Sequence, residues 1–149
     1  MYHLVYISYA SRTLREADLL DILITSRINN KKAGITGMLV YLRERFIQVL
    51  EGDYEAVNRI YKDIKEDIRH HKVTTVLEGN SEQRIFKDWT MGFKKIDDQQ
   101  HFEELSGFKD PEDFLNNQQV TDESPAVMIF LSLFYKKNIS DYPETVSLN

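Results

Sequence analysis

The chain has 149 residues, of which 42% are apolar and 29% charged, a balance typical of a folded globular domain. Its net charge of −5 argues against direct nucleic acid binding, and the absence of cysteine excludes disulfide scaffolds, thiol nucleophiles and thiolate metal sites. The amino terminus shows no secretory signal, and the apolar run at 126–134 is interrupted by Ser132 and too short to span a bilayer. We therefore expect a cytoplasmic protein without membrane contact.

The first 30 residues predict a strand followed by a helix. Residues 4–8 are mostly β-branched and aromatic, which is typical of a strand. Thr13 and Glu16 have the spacing of a capping box, so we expect the helix to begin there. The helix has a broad apolar face, and Asn29 and Asn30 are residue types that favour a helix end.

The next part of the chain predicts more strands and a second helix. Strands are predicted at 34–41, 45–50, 72–77 and 88–96. The first two of these are separated only by 42–44 and should form a hairpin. Gly52 and Asp53 end the hairpin and cap a helix whose apolar residues recur every three or four positions.

The resulting order, β-α-β-β-α-β-β, predicts an α+β ferredoxin-like sandwich with one added strand. Two helices then lie side by side on one sheet face, and the groove between them is a natural ligand site. We expect this domain to cover 1–97.

The remaining residues, 98–149, predict a C-terminal helical extension that is not an independent domain. It is acidic and rich in Gln and Asn until an apolar helix at 123–137, which Ser124 and Pro125 begin. A helix this apolar must bury both sides. We expect it to pack on the sheet face that the first two helices leave open, or on a partner.

Gln48 lies in the middle of the third predicted strand, on the same face as Phe46 and Leu50. That face is either core or ligand site. A buried amide without a partner costs about 1–3 kcal/mol, so we expect Gln48 to be hydrogen-bonded.

Five short stretches, in the correct order over about residues 1–97, together resemble the BLUF blue-light photoreceptors. They are LVYIS, INNKKAGITGML, RFIQVLEGD, EDIRHH and FKDWTMGF. The tail resembles that of the short stand-alone members, which carry only helices after the flavin domain, so we expect no appended cyclase or phosphodiesterase.

The resemblance implies a non-covalently bound flavin, FAD or FMN, with Tyr6 and Gln48 as the photoactive pair. Light would move an electron from Tyr6 and a proton through Gln48, leaving Gln48 rotated or tautomerised and the absorption shifted to the red. No substrate is consumed, so the resemblance implies a switch and not an enzyme. Ser8, Trp89 and Met91 would carry the signal, and either Trp89 or Met91 would face the flavin.

The flavin contacts combine this resemblance with the apolar faces described above. The amide of Asn30 would pair with the pyrimidine edge, and Arg69 would approach the carbonyl edge. The complete set of expected cofactor-binding residues is Tyr6, Ile22, Ile24, Asn29, Asn30, Phe46, Gln48, Leu50, Ile64, Asp67, Arg69 and His70.

Several of the residues named so far also have a structural interpretation. The isoleucines around 22–24, Tyr6 and Trp89 would serve equally as core, and the two asparagines as helix caps. Ser8 would face solvent. His70 and His71 would belong to a solvated helix end, and without a third ligand nearby they do not favour a metal site.

One position departs from the family pattern. Asp63 is acidic where some relatives carry a basic residue close to the flavin tail. Lys31, Lys32 or Lys62 would have to compensate, and the sequence does not choose between FAD and FMN.

Two other functions share the predicted fold. An acylphosphatase-like enzyme would use an arginine after the first strand, where Arg12 lies, but the glycine-rich phosphate loop is missing. A cofactor-free interaction module would be colourless. For the receptor we expect a homo-oligomer that signals to a downstream protein by contact.

Overall fold

The protein has the predicted α+β ferredoxin-like fold, and helices cover both faces of its sheet. A computed structural model describes residues 1–87, 92–96 and 126–135. Within those residues the strands are β1 (Tyr2–Ala10), β2 (Thr36–Leu42), β3 (Arg45–Gly52), β4 (His70–Asn80) and β5 (Gly92–Ile96), and the helices are α1 (Glu16–Ala33), α2 (Tyr54–Glu66) and α3 (Ala126–Tyr135).

The five described strands are arranged in the order β4-β1-β3-β2-β5. β1, β3, β2 and β4 pair antiparallel, whereas β5 pairs parallel to β2. The two central strands, β1 and β3, place Tyr6 directly opposite Gln48. Because side chains alternate between faces of a strand, these two residues share one face of the sheet.

The start of α1 differs from the prediction. The helix begins at Glu16, and the Asp18 carboxylate accepts a hydrogen bond from the backbone N–H of Arg15 (3.0 Å). Thr13, which was expected to cap the helix, donates its hydroxyl to Glu44 instead. The predicted capping box is wrong because Asp18, three residues after Arg15, satisfies the first turn.

The end of α1 also lies beyond the predicted position. Asn29 and Asn30 are inside the helix, which continues to Ala33. Gly34 ends it with a left-handed backbone, φ 70°, which glycine adopts without the steric penalty of a side chain. The interpretation of the two asparagines as helix caps is therefore wrong.

The main core lies between the sheet and the first two helices. Leu19 and Leu23 of α1 and Val57 of α2 are completely buried there, together with Leu4 and Leu50 of the central strands. Burying each such side chain stabilises the fold by about 1.5–3 kcal/mol. This core fixes the two helices over β1 and β3, where the ligand groove was predicted.

The opposite sheet face is covered by α3. Val127 and Leu131 of α3 are buried in one apolar cluster with Val5 of β1 and Val49 of β3. The prediction that the tail helix packs on the open sheet face is therefore confirmed. None of the helices that the structure describes is long and apolar enough to cross a bilayer.

His3 is an unusual member of this second face. It is 3% exposed and lies directly across from Glu51. Its Nδ1 is buried and has no hydrogen-bond partner among the described residues. Burial lowers the pKa of His3, although the nearby Glu51 carboxylate opposes this effect. His3 is therefore neutral in the folded protein near pH 7.

This burial predicts that stability falls as the medium is acidified through the titration range of histidine. Because the pKa of His3 is lower in the folded than in the unfolded chain, the stabilisation is complete above about pH 6.5 and is lost as pH falls below that value. We expect His3→Leu to flatten the pH dependence of the free energy of unfolding between about pH 7 and 5, by at most about 1.4 kcal/mol per pH unit.

Urea denaturation at several pH values measures this effect. His71→Leu, at an exposed position of β4, is the matched control because it removes a histidine without changing the core. Equal slopes in His3→Leu and the unmodified protein would contradict the prediction.

Candidate functional site

A cleft opens between α1 and α2 above the centre of the sheet. The space inside it, counted together with the part that is open to solvent, is about 770 Å³. Ten of the twelve residues predicted to bind the cofactor line it: Tyr6, Ile22, Asn29, Asn30, Phe46, Gln48, Ile64, Asp67, Arg69 and His70.

The floor of the cleft carries a hydrogen-bonded pair, Tyr6 and Gln48. Both residues are 3% exposed, and the Tyr6 hydroxyl donates to Oε1 of Gln48 at 2.5 Å. Burial, with smaller contributions from Tyr61 and Asp67, raises the pKa of Tyr6 well above its usual range. The phenol therefore stays protonated and acts as the hydrogen-bond donor.

The α1 wall of the cleft follows the helical repeat. Ile22, Thr25, Ser26 and Asn29 are spaced by three and four residues, so they share one face. Thr25 and Ser26 were not predicted, although this spacing from Ile22 would have identified them. The α2 wall likewise includes Ile60 and Asp63 beside the predicted Ile64.

Two of the predicted residues, Ile24 and Leu50, do not line the cleft. Ile24 is 47% exposed, because two residues along an α-helix turn the side chain about 200° away from Ile22. Leu50 is on the predicted sheet face but is completely buried under the helices as core. The structural interpretation, core packing, therefore holds for Leu50, whereas Ile24 faces solvent.

Asn30 is 1% exposed and reaches the cleft from the last turns of α1. Its backbone carbonyl accepts from the N–H of Ile35 at 2.8 Å, which anchors the turn leading into β2. The backbone of Asn30 is thus fixed by the helix before it and by this turn after it. Its side-chain amide offers the cleft both a donor and an acceptor.

Ser8 and His70 form a second polar group beside the pair. Ser8 is completely buried and bonds Nδ1 of His70 at 2.9 Å, so the solvent-facing alternative for Ser8 is wrong. Nε2 of His70 donates to the carbonyl of Ile64 at 2.5 Å. In a neutral imidazole, Nδ1 is then the acceptor of the Ser8 hydroxyl proton. The ring lies edge-on to Tyr6, with 6.2 Å between centroids.

The charged rim of the cleft is built around Arg69. Its guanidinium bonds the Asp67 carboxylate at 2.7 Å and Asp21 at 3.0 Å. The hydrogen bond from Arg69 lowers the pKa of Asp67 and keeps it ionised. Much of the positive charge expected at the cofactor's carbonyl edge is therefore balanced by two carboxylates.

Three further expectations concern the signalling pair, a metal site and the phosphate-binding arginine. Trp89 and Met91 lie outside the described residues. Among the described residues, no three His, Asp or Glu side chains cluster as metal ligands would. Arg12, the candidate phosphate-binding arginine, is paired with Asp18 at 3.2 Å and does not line the cleft.

Comparisons with known proteins all identify the same family. Residues 1–92 match the family described as "BLUF: Sensors of blue-light using FAD". The photoactivated adenylate cyclase subunit beta of Euglena gracilis is 38% identical over 89 residues, which are 59% of this chain and 10% of that protein. The subunit alpha from the same organism is 35% identical over 83 residues, 56% of this chain and 8% of that protein. The chain thus spans about a tenth of the length of these curated relatives.

Solved structures agree with this match. BlrB, a BLUF protein in its dark state, is 31% identical with a TM-score of 0.61, over 63% of this chain and 71% of that chain. BlrP1 of Klebsiella pneumoniae is 26% identical with a TM-score of 0.71, over 89% of this chain and 33% of that one. Because the family match covers more than half of the residues and the fold agrees, the chain belongs to the BLUF family of blue-light sensors.

Proposed function

We propose that this protein senses blue light through a flavin held non-covalently in the cleft between α1 and α2, with Tyr6 and Gln48 as its photoactive pair. The observation that carries the proposal is the buried phenol-to-amide hydrogen bond at the floor of this cleft. Family membership supports the same conclusion.

The groups that line the cleft fit a flavin. Its walls offer apolar surface from Ile22, Ile64 and Phe46, which suits the dimethylbenzene end of the ring. Asn30 and Gln48 supply amides with both donors and acceptors, which suits the pyrimidine edge. A planar heterocycle with one apolar and one polar end matches this distribution.

The bound flavin would supply light absorption and a photo-excited electron acceptor. Tyr6 can give up an electron and its phenolic proton, and Gln48 Oε1, at 2.5 Å, is the atom that receives this proton. A glutamine amide has two chemically different ends, so turning or tautomerising it exchanges acceptor and donor toward Tyr6. Gln48 thus offers two hydrogen-bonding arrangements without any movement of the backbone.

The cleft offers fewer favourable contacts to the phosphate chain of a flavin than to its ring. Asp63 and Asp67 line the cleft, and Arg69 is engaged by Asp67 and Asp21. Contacts to the ring therefore dominate, and FAD and FMN are both candidates. The family description supports FAD.

The signalling part of the proposal extends beyond the cleft. Ser8 acts through His70, and Trp89 and Met91 carry the change onward, with 1–97 as the flavin domain and 98–149 as its helical extension. The protein acts as a switch and not an enzyme, in the cytoplasm, as a homo-oligomer with a downstream protein partner. Because α3 packs on the sheet face opposite the cleft, it supports a signal that passes through the sheet to this helix and on to a partner by contact.

Absorption spectroscopy of the purified protein tests this function. We expect a yellow protein that releases its flavin on denaturation, as a non-covalent complex must, and whose absorption shifts reversibly to the red under blue light. Chromatography of the released flavin distinguishes FAD from FMN. A protein that stays colourless after incubation with FAD and FMN would overturn the proposal, and turnover of acyl phosphates would favour the phosphatase.

A further inference from the structure

The segment after β4 is fastened to the sheet by a buried carboxylate. Glu51, on β3, is completely buried and accepts hydrogen bonds from the backbone N–H groups of Ile85 (2.7 Å) and Phe86 (2.8 Å). The hydroxyl of Thr36 also donates to it at 3.3 Å. Both oxygens of the side chain therefore hold the segment, Oε2 through Ile85 and Oε1 through Phe86.

Arg84 reinforces the same attachment from the adjacent position. Its Nη1 donates to the carbonyl of Gly34 at 3.1 Å, to Oγ1 of Thr36 at 2.9 Å and to the carbonyl of Glu51 at 3.2 Å. Residues 84–86 are thereby joined to the start of β2 and the end of β3. We call this set of contacts the 84–86 anchor.

The anchor contacts helix α3 through Phe86. Phe86 is completely buried and belongs to the same apolar cluster as Val127, Met128 and Leu131. Any displacement of Phe86 therefore requires these helix side chains to repack, because close-packed interiors do not deform continuously.

The anchor also leads back to the cleft through a single strand. Gln48 and Glu51 are three residues apart on β3, which is about 10 Å along the strand. Gln48 faces the cleft. Glu51, at an odd spacing from Gln48 on the strand, faces the other side, where it bonds Phe86 of the α3 cluster. One strand thus carries the photoactive amide on one face and the anchoring carboxylate on the other.

We propose that Glu51 is a positioning residue that couples the cleft to α3. Its carboxylate ties residues 85 and 86 to β3, so that a change in the hydrogen bonding of Gln48 reaches Phe86 and the α3 cluster through this strand. The inference rests on the proposed light-sensing function. It assigns the coupling to a residue that lies outside the cleft.

Glu51→Gln tests the inference with almost no change in shape. Its amide keeps one oxygen acceptor, but its NH₂ group faces a backbone N–H that then has no acceptor. Glu82→Gln is the matched control, since this exposed carboxylate on the same segment makes none of the anchor contacts.

Hydrogen exchange of the full flavin-loaded chain, in the dark and under blue light, gives the decisive readout. In the unmodified protein and in Glu82→Gln we expect illumination to change exchange in peptides covering 126–135. In Glu51→Gln we expect faster dark exchange at 84–87 and a retained red shift. The light-dependent change at 126–135 should be lost. A purely structural role would weaken the anchor without removing this difference.

Each other outcome decides against the inference. A light-dependent difference of undiminished size in Glu51→Gln overturns it, as does a red shift in the unmodified protein without any change at 126–135. Absence of the red shift in the unmodified protein overturns the proposed function itself and this inference with it. If Glu51→Gln does not fold, Arg84→Gln weakens the same anchor and is judged by the same criteria.

Discussion

Replacing Gln48 by alanine is expected to abolish the light-induced red shift while leaving the flavin bound. The substitution removes the acceptor that lies 2.5 Å from the Tyr6 hydroxyl and with it both hydrogen-bonding arrangements of the amide. The buried phenol then lacks its partner, at a cost of about 1–3 kcal/mol in the free energy of unfolding. The remaining cleft walls still supply apolar contacts and the Asn30 amide. Absorption spectra recorded before and after blue illumination measure the effect.

Two tyrosine variants complete the experiment. Tyr6→Phe should also abolish the shift, because it removes the hydroxyl proton that Tyr6 donates to Oε1 of Gln48. Tyr61→Phe is the control: its ring centroid lies 5.4 Å from that of Tyr6, but its hydroxyl bonds Thr75. A normal shift in Gln48→Ala would contradict the assignment, and loss of the flavin would show that Gln48 contributes affinity.

The order of strands and helices was predictable because local patterns specify it. The strand at 4–8 was indicated by its β-branched and aromatic residues, and the hairpin by the short separation at 42–44. The second helix was indicated by its apolar repeat and its cap, and all three elements are present. The pairing of Tyr6 with Gln48 was predicted by family resemblance, and the register of β1 against β3 gives it a physical basis. Period-two alternation then places both side chains on one face.

Features that depend on tertiary contacts were less predictable. The predicted start of α1 was wrong because the Thr13 hydroxyl bonds Glu44, which is distant in the sequence. The predicted end was wrong because the helix continues past the asparagines to Gly34, whose left-handed backbone ends it. Ile24 was assigned to the cleft as part of one broad apolar helix face, although the helical angle separates it from Ile22. The 84–86 anchor was not predicted, since nothing in the local sequence marks Glu51 as an acceptor for residues 34 and 35 positions away.

A methyl group at Gly37 is expected to destabilise the whole sheet. Gly37 lies on β2 opposite Leu50, and a Cβ built there would lie 1.9 Å from the backbone carbonyl oxygen of Val49. The obstacle is backbone within a paired strand, so relief requires β2 and β3 to separate. Overpacking typically costs about 1–3 kcal/mol, and we expect Gly37→Ala to reach or exceed the upper end of that range.

Gly79→Ala provides the matched control for this steric argument. Gly79 also lies in the sheet, but a Cβ there would meet only the His3 imidazole, at an ordinary contact distance of 3.6 Å. Because alanine restricts the unfolded chain, this variant should be neutral or more stable by about 0.4–1 kcal/mol. Urea midpoints of the flavin-loaded proteins measure both effects. If the two variants had equal urea midpoints, a Cβ at position 37 would fit between β2 and β3, and the prediction would be wrong.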